Sequence, residues 1–240
     1  MSETASPGRR RFEIPLIPKL VITLTIAGLL SGLTLVAAYQ ITLPVIEANK
    51  AEALRRAVFL VLPGATRMQP LVWRNDQLLV PDTVQPKEEA IYAGYDSTGA
   101  FLGYAIPSSG PGYQDVISLL YGFTPGERRV VGMQILESRE TPGLGDKIFK
   151  DADFVANFRS LAVDPEIVLV KEEPGNPNEV DAITGATISS RAVVNIINAG
   201  NQRWFPRLPE PGQEPPLAAP GGGGESPSAE VLDTQGGGGA

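Results

Sequence analysis

The sequence predicts an α+β protein in which a single N-terminal transmembrane helix is followed by one domain with a mainly antiparallel sheet and flanking helices. Three observations support this fold class. A long uncharged run occurs near the N-terminus, short apolar segments separated by turn residues follow it, and an amphipathic helix pattern begins near residue 187. Residues 207–240 are rich in proline, glycine and acids, which predicts a disordered tail.

The uncharged run extends over residues 20–46. Its core, residues 20–39, would span about 30 Å as a helix at roughly 1.5 Å per residue, which matches a bilayer. A cleaved signal peptide is the alternative, because Val36, Ala37 and Ala38 are small residues of the kind that a signal peptidase accepts. The run is longer than the usual signal core of about 7 to 15 residues, so we favour an uncleaved transmembrane helix over residues 20–43.

Basic residues on the two sides of the run predict its orientation. Arg9, Arg10, Arg11 and Lys19 precede the core at residues 20–39, and Lys50, Arg55 and Arg56 follow this core at a greater distance. Because basic residues are more frequent on the cytoplasmic side, residues 1–19 are predicted to be cytoplasmic. The main domain, residues 44–206, is then predicted to lie outside the cytoplasm.

After the membrane run, Pro44 is expected to end or kink the helix, and residues 47–60 are predicted to form a short amphipathic helix. Turn residues 96–99 predict a hairpin, and residues 108–113 are predicted to be a flexible loop. The strand candidates are short apolar segments bounded by turn residues: 71–73, 78–80, 91–95, 100–106, 116–123, 129–136 and 166–170.

Two further helices are predicted in the second half of the chain. The first covers residues 146–158, and its apolar positions are assigned to the core: Ile148, Phe149, Phe154, Val155 and Phe158. Residues 173–180 are predicted to be a surface loop. The last helix begins near Thr187, has apolar residues at helical spacing and is expected to end at Gly200. Trp204 and Phe205 are expected to pack this helix against the domain.

Composition restricts the chemistry of this chain. It contains no cysteine and no histidine, which excludes disulfides, thiolate metal sites, iron–sulfur clusters and Ser-His-Asp or Cys-His catalysis. Any redox chemistry therefore requires a bound organic cofactor. Most of the formal charge of −7 comes from the acids after Arg207, so the rest of the chain is nearly neutral and a nucleic-acid partner is not expected.

Residues 181–193 place two hydroxyls and two small residues at the predicted start of the last helix: Thr184, Gly185, Ala186 and Thr187. A helix start offers unpaired N–H groups and the positive end of the helix dipole, which suit a phosphate. Small neighbours leave the Thr187 hydroxyl accessible. On local features alone, the simpler interpretation is that Thr184 or Thr187 caps the helix.

A second candidate segment carries two glycines in a loop after a strand: Glu140, Thr141, Pro142, Gly143, Leu144 and Gly145. Glycines allow backbone N–H groups to approach a ligand closely. Alone, this segment is interpreted as an ordinary loop, because it lacks the longer pattern and the βαβ setting of a dinucleotide site. Gly112-Tyr113 is similarly interpreted as a turn with a half-buried ring.

Taken together, the two segments resemble motifs of the FMN-binding subunits of bacterial respiratory complexes. Asp181-x-x-Thr184-Gly185-Ala186-Thr187 is similar to the flavinylation motif, and residues 140–145 to a loop that wraps the isoalloxazine. The resemblance implies that Thr187 carries FMN through a phosphoester bond made by a separate FMN transferase. It also implies that the other cofactor-binding residues are Thr184, Gly185, Ala186, Glu140, Thr141, Gly143, Leu144 and Gly145.

The family also has a glycine-tyrosine loop near the cofactor. Gly112-Tyr113 is similar to it, although Gln114-Asp115 departs from the small residues that are more usual there. For Asp181 two roles stay open, recognition by the transferase and capping of a turn.

The resemblance covers roughly residues 20–204 and is closest to the G subunits of Rnf ion-translocating electron transport complexes. The C subunits of sodium-pumping NADH:quinone reductases have the same kind of domain, and a C subunit of such a complex is the alternative assignment. The resemblance implies a bacterial inner-membrane subunit without stand-alone activity, which relays electrons through FMN between other membrane subunits. Ferredoxin and NAD are then the ultimate redox partners of the complex, and ion movement is coupled to the transfer.

Two other functions fit the residues. A membrane-anchored binding or sensor domain without a redox role would have the same anchor and α+β domain. A hydrolase with Thr187 as nucleophile ranks last, because the chain lacks a histidine base.

Overall fold

The computed structural model describes residues 16–81, 84 and 88–218. Most of the predicted cytoplasmic segment, and the tail from residue 219 onward, lie outside the described residues. The chain divides into two units, Met1–Glu52 and Ala53–Ala240. The helices are α1 (Leu16–Val61), α2 (Lys147–Lys150), α3 (Ala152–Ala156) and α4 (Thr187–Trp204). The strands are β1 (Arg67–Arg74), β2 (Gln77–Leu79), β3 (Ala90–Tyr95), β4 (Phe101–Pro111), β5 (Val116–Thr124), β6 (Arg129–Glu137), β7 (Leu161–Ala162), β8 (Val168–Val170) and β9 (Glu179–Asp181).

Helix α1 is continuous through Pro44, so the predicted helix end there and the separate helix over residues 47–60 are wrong. Proline removes one backbone hydrogen bond, but the turns on both sides keep the helical conformation. The apolar part, within Ile17–Val61, is long and apolar enough to cross a membrane. Its threonine hydroxyls donate to carbonyls four residues earlier at 2.7–2.8 Å, which satisfies them without water: Thr23, Thr25, Thr34 and Thr42.

The domain is built on a seven-stranded sheet in the order β2-β1-β3-β4-β5-β6-β7, in which all neighbours are antiparallel. Strands β8 and β9 form a separate parallel pair. The predicted hairpin at residues 96–99 is confirmed, because Asp96 Oδ1 accepts hydrogen bonds from the N–H groups of Thr98 and Ala100 at 2.8 and 2.9 Å. The mainly antiparallel sheet predicted from the sequence is thus confirmed.

Three local predictions are wrong for identifiable reasons. Strand β4 extends to Pro111 and so includes residues 108–111 of the predicted loop at residues 108–113, and Gly110 pairs with Ile117 in the ladder. The predicted helix over residues 146–158 is broken at Asp151, whose carboxylate caps α3 by accepting from the N–H groups of Asp153 and Phe154. The predicted loop over residues 173–180 ends in strand β9.

Helix α4 covers one face of the sheet and begins at Thr187, as predicted. It continues past Gly200 to Trp204, which is buried, and the Phe205 ring stacks on Phe123 with centroids 4.5 Å apart. Most of the aromatic and aliphatic positions predicted between residues 146 and 158 are in the core. Phe149 is the exception, with 43% of its surface exposed.

The end of α1 packs on the opposite face of the sheet. The hydrophobic cluster on that face contains buried residues from the end of α1, the position after it, β4 and β5: Ala57, Val58, Val61, Leu62, Ala105 and Leu120. Glycines in the strands permit the contact, because a Cβ on Gly132 would lie 2.8 Å from the Val61 carbonyl oxygen.

The chain after the last helix is ordered further than the sequence predicted. The Tyr95 hydroxyl donates to the Pro215 carbonyl at 2.6 Å, and Gln69 Oε1 accepts from the Ala218 N–H at 2.7 Å. Leu208 and Leu217 pack against the core. The expectation of disorder from residue 207 onward is therefore wrong for residues 208–218.

Candidate functional site

Thr187 is presented by a tight turn at the start of α4. The Ala186 N–H donates to the Ile183 carbonyl at 2.9 Å, which closes the turn over Thr184 and Gly185. Gly185 has φ +82°, a conformation that glycine adopts without the steric cost of a Cβ. This turn brings the chain into α4 with Thr187 as its first helical residue.

Ser190 fastens this turn to the helix. Its hydroxyl donates to the Ala186 carbonyl at 3.0 Å and accepts from the Ile183 N–H at 3.2 Å. The side chain is fully buried. Sequence reasoning missed this role, although the serine pair Ser189-Ser190 directly after the motif was a visible signal.

The start of α4 leaves hydrogen-bond donors available. Ala186 is the N-cap and has no side-chain capping bond, so within the described chain neither Thr184 nor Thr187 caps the helix. Among the described residues, no acceptor bonds the N–H groups of Thr187, Ile188 and Ser189, as is usual for a first turn without a cap. Thr187 is half-buried, and its hydroxyl has no hydrogen bond with any residue that the structure describes. The site offers these donors to an anion.

The second predicted segment packs against this helix start through Glu140. Glu140 is buried, with 6% of the residue exposed. Its Oε1 accepts from the N–H groups of Tyr113 and Gln114 at 2.8 and 3.0 Å, and its Oε2 accepts from the Ser189 hydroxyl at 2.5 Å. Thr141 donates its hydroxyl to Gln114 Oε1 at 2.9 Å. Residues 112–114, the 140–145 loop and the first turn of α4 are thus in direct contact.

The glycines of the 140–145 loop have different surroundings. Gly143 has φ +80° and open space where a Cβ would lie, and its N–H donates to Asp146 Oδ1 at 2.8 Å. Gly145 packs closely, since a Cβ there would lie 2.9 Å from Ser189 Oγ. The Lys150 ammonium that donates to Asp146, together with the Gly143 N–H, holds the pKa of the Asp146 carboxyl below its usual value.

Each of the three segments that meet at Glu140 also exposes a large apolar side chain. Tyr113 is 66% exposed, Leu144 53% and Ile188 59%. Asp181 ends β9 with its side chain exposed. An open helix start beside exposed apolar groups can hold a ligand with an anionic phosphate and an apolar ring system, and these residues therefore fit FMN.

Comparison with known proteins agrees with this arrangement. The family model described as an FMN-binding domain matches residues 112–202, which include all three segments. The chain is 31% identical over 183 residues to the G subunit of the ion-translocating oxidoreductase complex of Methanosarcina acetivorans, covering 76% of this chain and 92% of the relative. It is 29% identical to the G subunit of the proton-translocating ferredoxin:NAD(+) oxidoreductase complex of Clostridium ljungdahlii, covering 71% of this chain and 82% of the relative.

The fold has a solved counterpart in the C subunit of the Na(+)-translocating NADH-quinone reductase of Parabacteroides distasonis. The TM-score is 0.53 at 18% identity, and the alignment covers 68% of this chain and 94% of that structure. The fold, the site and the matched residues define a membrane-anchored protein with an FMN-binding domain. More particularly, the chain belongs to the family of G subunits of ion-translocating oxidoreductase complexes.

Proposed function

We propose that this chain is the electron-transfer subunit of a membrane-bound ion-translocating electron transport complex, and that it carries FMN on Thr187 through a phosphoester bond. The observation that carries the proposal is the uncapped start of α4, where the Thr187 hydroxyl lies beside unpaired backbone N–H groups. The names of the relatives support an assembly with other membrane subunits, with ferredoxin and NAD as its redox partners.

Attachment requires a nucleophile and stabilisation of charge. Thr187 Oγ1 displaces the leaving group from the phosphorus of an activated flavin nucleotide, so one P–O bond forms, one breaks and the hydroxyl proton passes to a base. The chain has no histidine to serve as that base, and we assign this role to a separate FMN transferase. The N–H groups of Ile188 and Ser189 would stabilise the phosphoryl oxygens.

When bound, FMN supplies the electron-transfer chemistry, and the chain supplies position and electrostatics. The turn residues Thr184, Gly185 and Ala186 would hold the phosphate. The loop residues Glu140, Thr141, Gly143, Leu144 and Gly145 would hold the ring. A covalent bond keeps the flavin on a domain that we place outside the cytoplasm of the bacterial inner membrane, where free FMN would be diluted.

The proposal is tested by co-expressing the exported full-length chain with an FMN transferase and viewing the denatured protein under ultraviolet light. Wild type and Thr98→Ala, a remote threonine in the β3–β4 turn, are expected to give a fluorescent band. Thr187→Ala is expected to give none. An unlabelled wild-type chain, with the transferase active on a known substrate, would overturn covalent attachment and favour a binding or sensor domain.

A further inference from the structure

The carboxylate of Glu140 joins three segments that are distant in the sequence. One oxygen accepts from the N–H groups of Tyr113 and Gln114, and the other accepts from the Ser189 hydroxyl. Ser189 lies two residues after Thr187, in the first turn of α4. Both carboxylate oxygens are therefore engaged by protein donors, which offsets the cost of burying the charge.

Two glycines make room for this carboxylate. A Cβ on Gly112 would lie 2.8 Å from Ile117 Cδ1 and closer still to Glu140 Oε1. A Cβ on Gly145 would lie 2.8 Å from Glu140 Cβ and 2.9 Å from Ser189 Oγ. The backbones of both loops thus pack directly on the Glu140–Ser189 pair, and a side chain at either glycine would force them apart.

We propose that Glu140 and Ser189 form a latch that positions Thr187 for flavin attachment. The latch holds residues 112–114 and the 140–145 loop against the first turn of α4. Glu140 accepts from the Ser189 hydroxyl and not from the helix N–H groups, so those donors stay available for a phosphate. Glu140 is therefore a positioning residue, and this inference rests on the proposed function of Thr187.

The neighbouring serine provides a matched control. Among the residues that the structure describes, the Ser190 hydroxyl bonds only to Ala186 and Ile183, whereas the Ser189 hydroxyl bonds to Glu140. Replacing either serine with alanine removes one buried hydroxyl from the same helical turn. Only Ser189→Ala removes a bond of the latch.

The latch is tested without flavin by hydrogen exchange of the full-length chain in detergent, read by mass spectrometry on peptides spanning residues 112–116. Glu140→Ala is expected to speed exchange there by roughly tenfold, the change for losing a charge-assisted hydrogen bond. Ser189→Ala is expected to give a smaller increase. Glu140→Gln keeps an acceptor for the loop amides and is expected to stay near wild type, and Ser190→Ala is expected to leave this exchange unchanged.

Unchanged exchange in Glu140→Ala overturns the latch, and if that variant does not fold, unchanged exchange in Ser189→Ala overturns it. A second measurement is the rate of flavin loading by the transferase, expected to fall about tenfold in Glu140→Ala and to be restored in Glu140→Gln. A labelled wild type whose loading rate equals those of Glu140→Ala and Ser189→Ala overturns the latch and leaves Thr187 as the attachment site. A wild-type chain that takes up no flavin contradicts the proposed function. In that case only the amide-exchange measurement tests whether Glu140 and Ser189 form the latch.

Discussion

The Tyr121 hydroxyl donates a hydrogen bond of 2.9 Å to Asn201 Oδ1 across the contact between β5 and α4. This contact depends on the residue next to Asn201 having no side chain. A Cβ on Gly200 would lie 2.6 Å from both the Tyr121 and the Ser108 hydroxyl oxygens. Gly200 therefore allows the helix that carries Thr187 to pack closely on the sheet.

Gly200→Ala is expected to destabilise the domain, although alanine normally favours a helix. The inserted methyl overpacks a buried contact, at a typical cost of about 1–3 kcal/mol in the free energy of unfolding. Chemical unfolding of the full-length chain measures this change. In a Tyr121→Phe background the cost is expected to be smaller, because one of the two nearest oxygens is gone. Equal costs in both backgrounds would contradict the assignment.

Gly185→Ala tests the turn before Thr187. The φ of +82° forces alanine into the left-handed region, at a cost of roughly 1–2 kcal/mol. We expect lower stability and slower flavin loading of Thr187. Gly126→Ala is the matched control, since Gly126 also lies in a turn and has open space at its Cβ, without a positive φ. Equal behaviour of the two variants in unfolding and loading would count against the role of the turn.

Asp146 gives the 140–145 loop a pH dependence. The folded-state pKa is lowered, chiefly by the hydrogen bond from Lys150, so its stabilising contribution is present above the unfolded pKa of about 4 and is lost as pH falls through the folded value. Asp146→Asn is expected to lower the unfolding temperature at neutral pH, with a difference from wild type that shrinks on acidification below about pH 4. Lys150→Met should act in the same direction. A difference that is constant with pH would contradict this role.

The segment after α4 is expected to control the ionisation of Tyr95. Burial and the nearby Glu214 carboxylate raise the pKa of Tyr95 to about 12. Its contribution to stability is thus present below its unfolded pKa of about 10 and is lost as pH rises toward the folded value. Ending the chain at Leu208 removes Glu214 and the Pro215 carbonyl, which should lower this pKa. The pKa of Tyr95 is measured by alkaline titration of tyrosine absorbance in the full-length and the shortened chain, after subtracting the titration of the Tyr95→Phe variant of each. The same Tyr95 pKa in both chains would contradict the prediction.

Local signals were sufficient to predict most of the strands, the hairpin at residues 96–99 and the start of α4, because they depend on residues adjacent in the chain. The short strands β7 and β9 were missed. Gly110 shows where such signals fail. It suggested a loop, but it lies within β4, where a Cβ would be 2.8 Å from Ile196 Cγ1. A glycine required by close packing has the same sequence signal as a glycine required by a turn.

The site shows the same limit. The resemblance to a flavinylation motif pointed to the segment around Thr187, but the bonds from Glu140 to Gln114 and Ser189 span 26 and 49 residues. Only the folded sheet brings these positions together. The Ser189-Ser190 pair was visible in the sequence, yet its two separate roles depend on which way each hydroxyl points.

The most direct test of the central claim is the mass of one peptide from the native membrane complex. Trypsin releases residues 172–191, which contain Thr184, Thr187, Ser189 and Ser190 and no internal lysine or arginine. We expect this peptide to carry the mass of FMN less one water, with fragmentation assigning it to Thr187. An unmodified peptide from the assembled complex, or a flavin on another residue, would contradict the account.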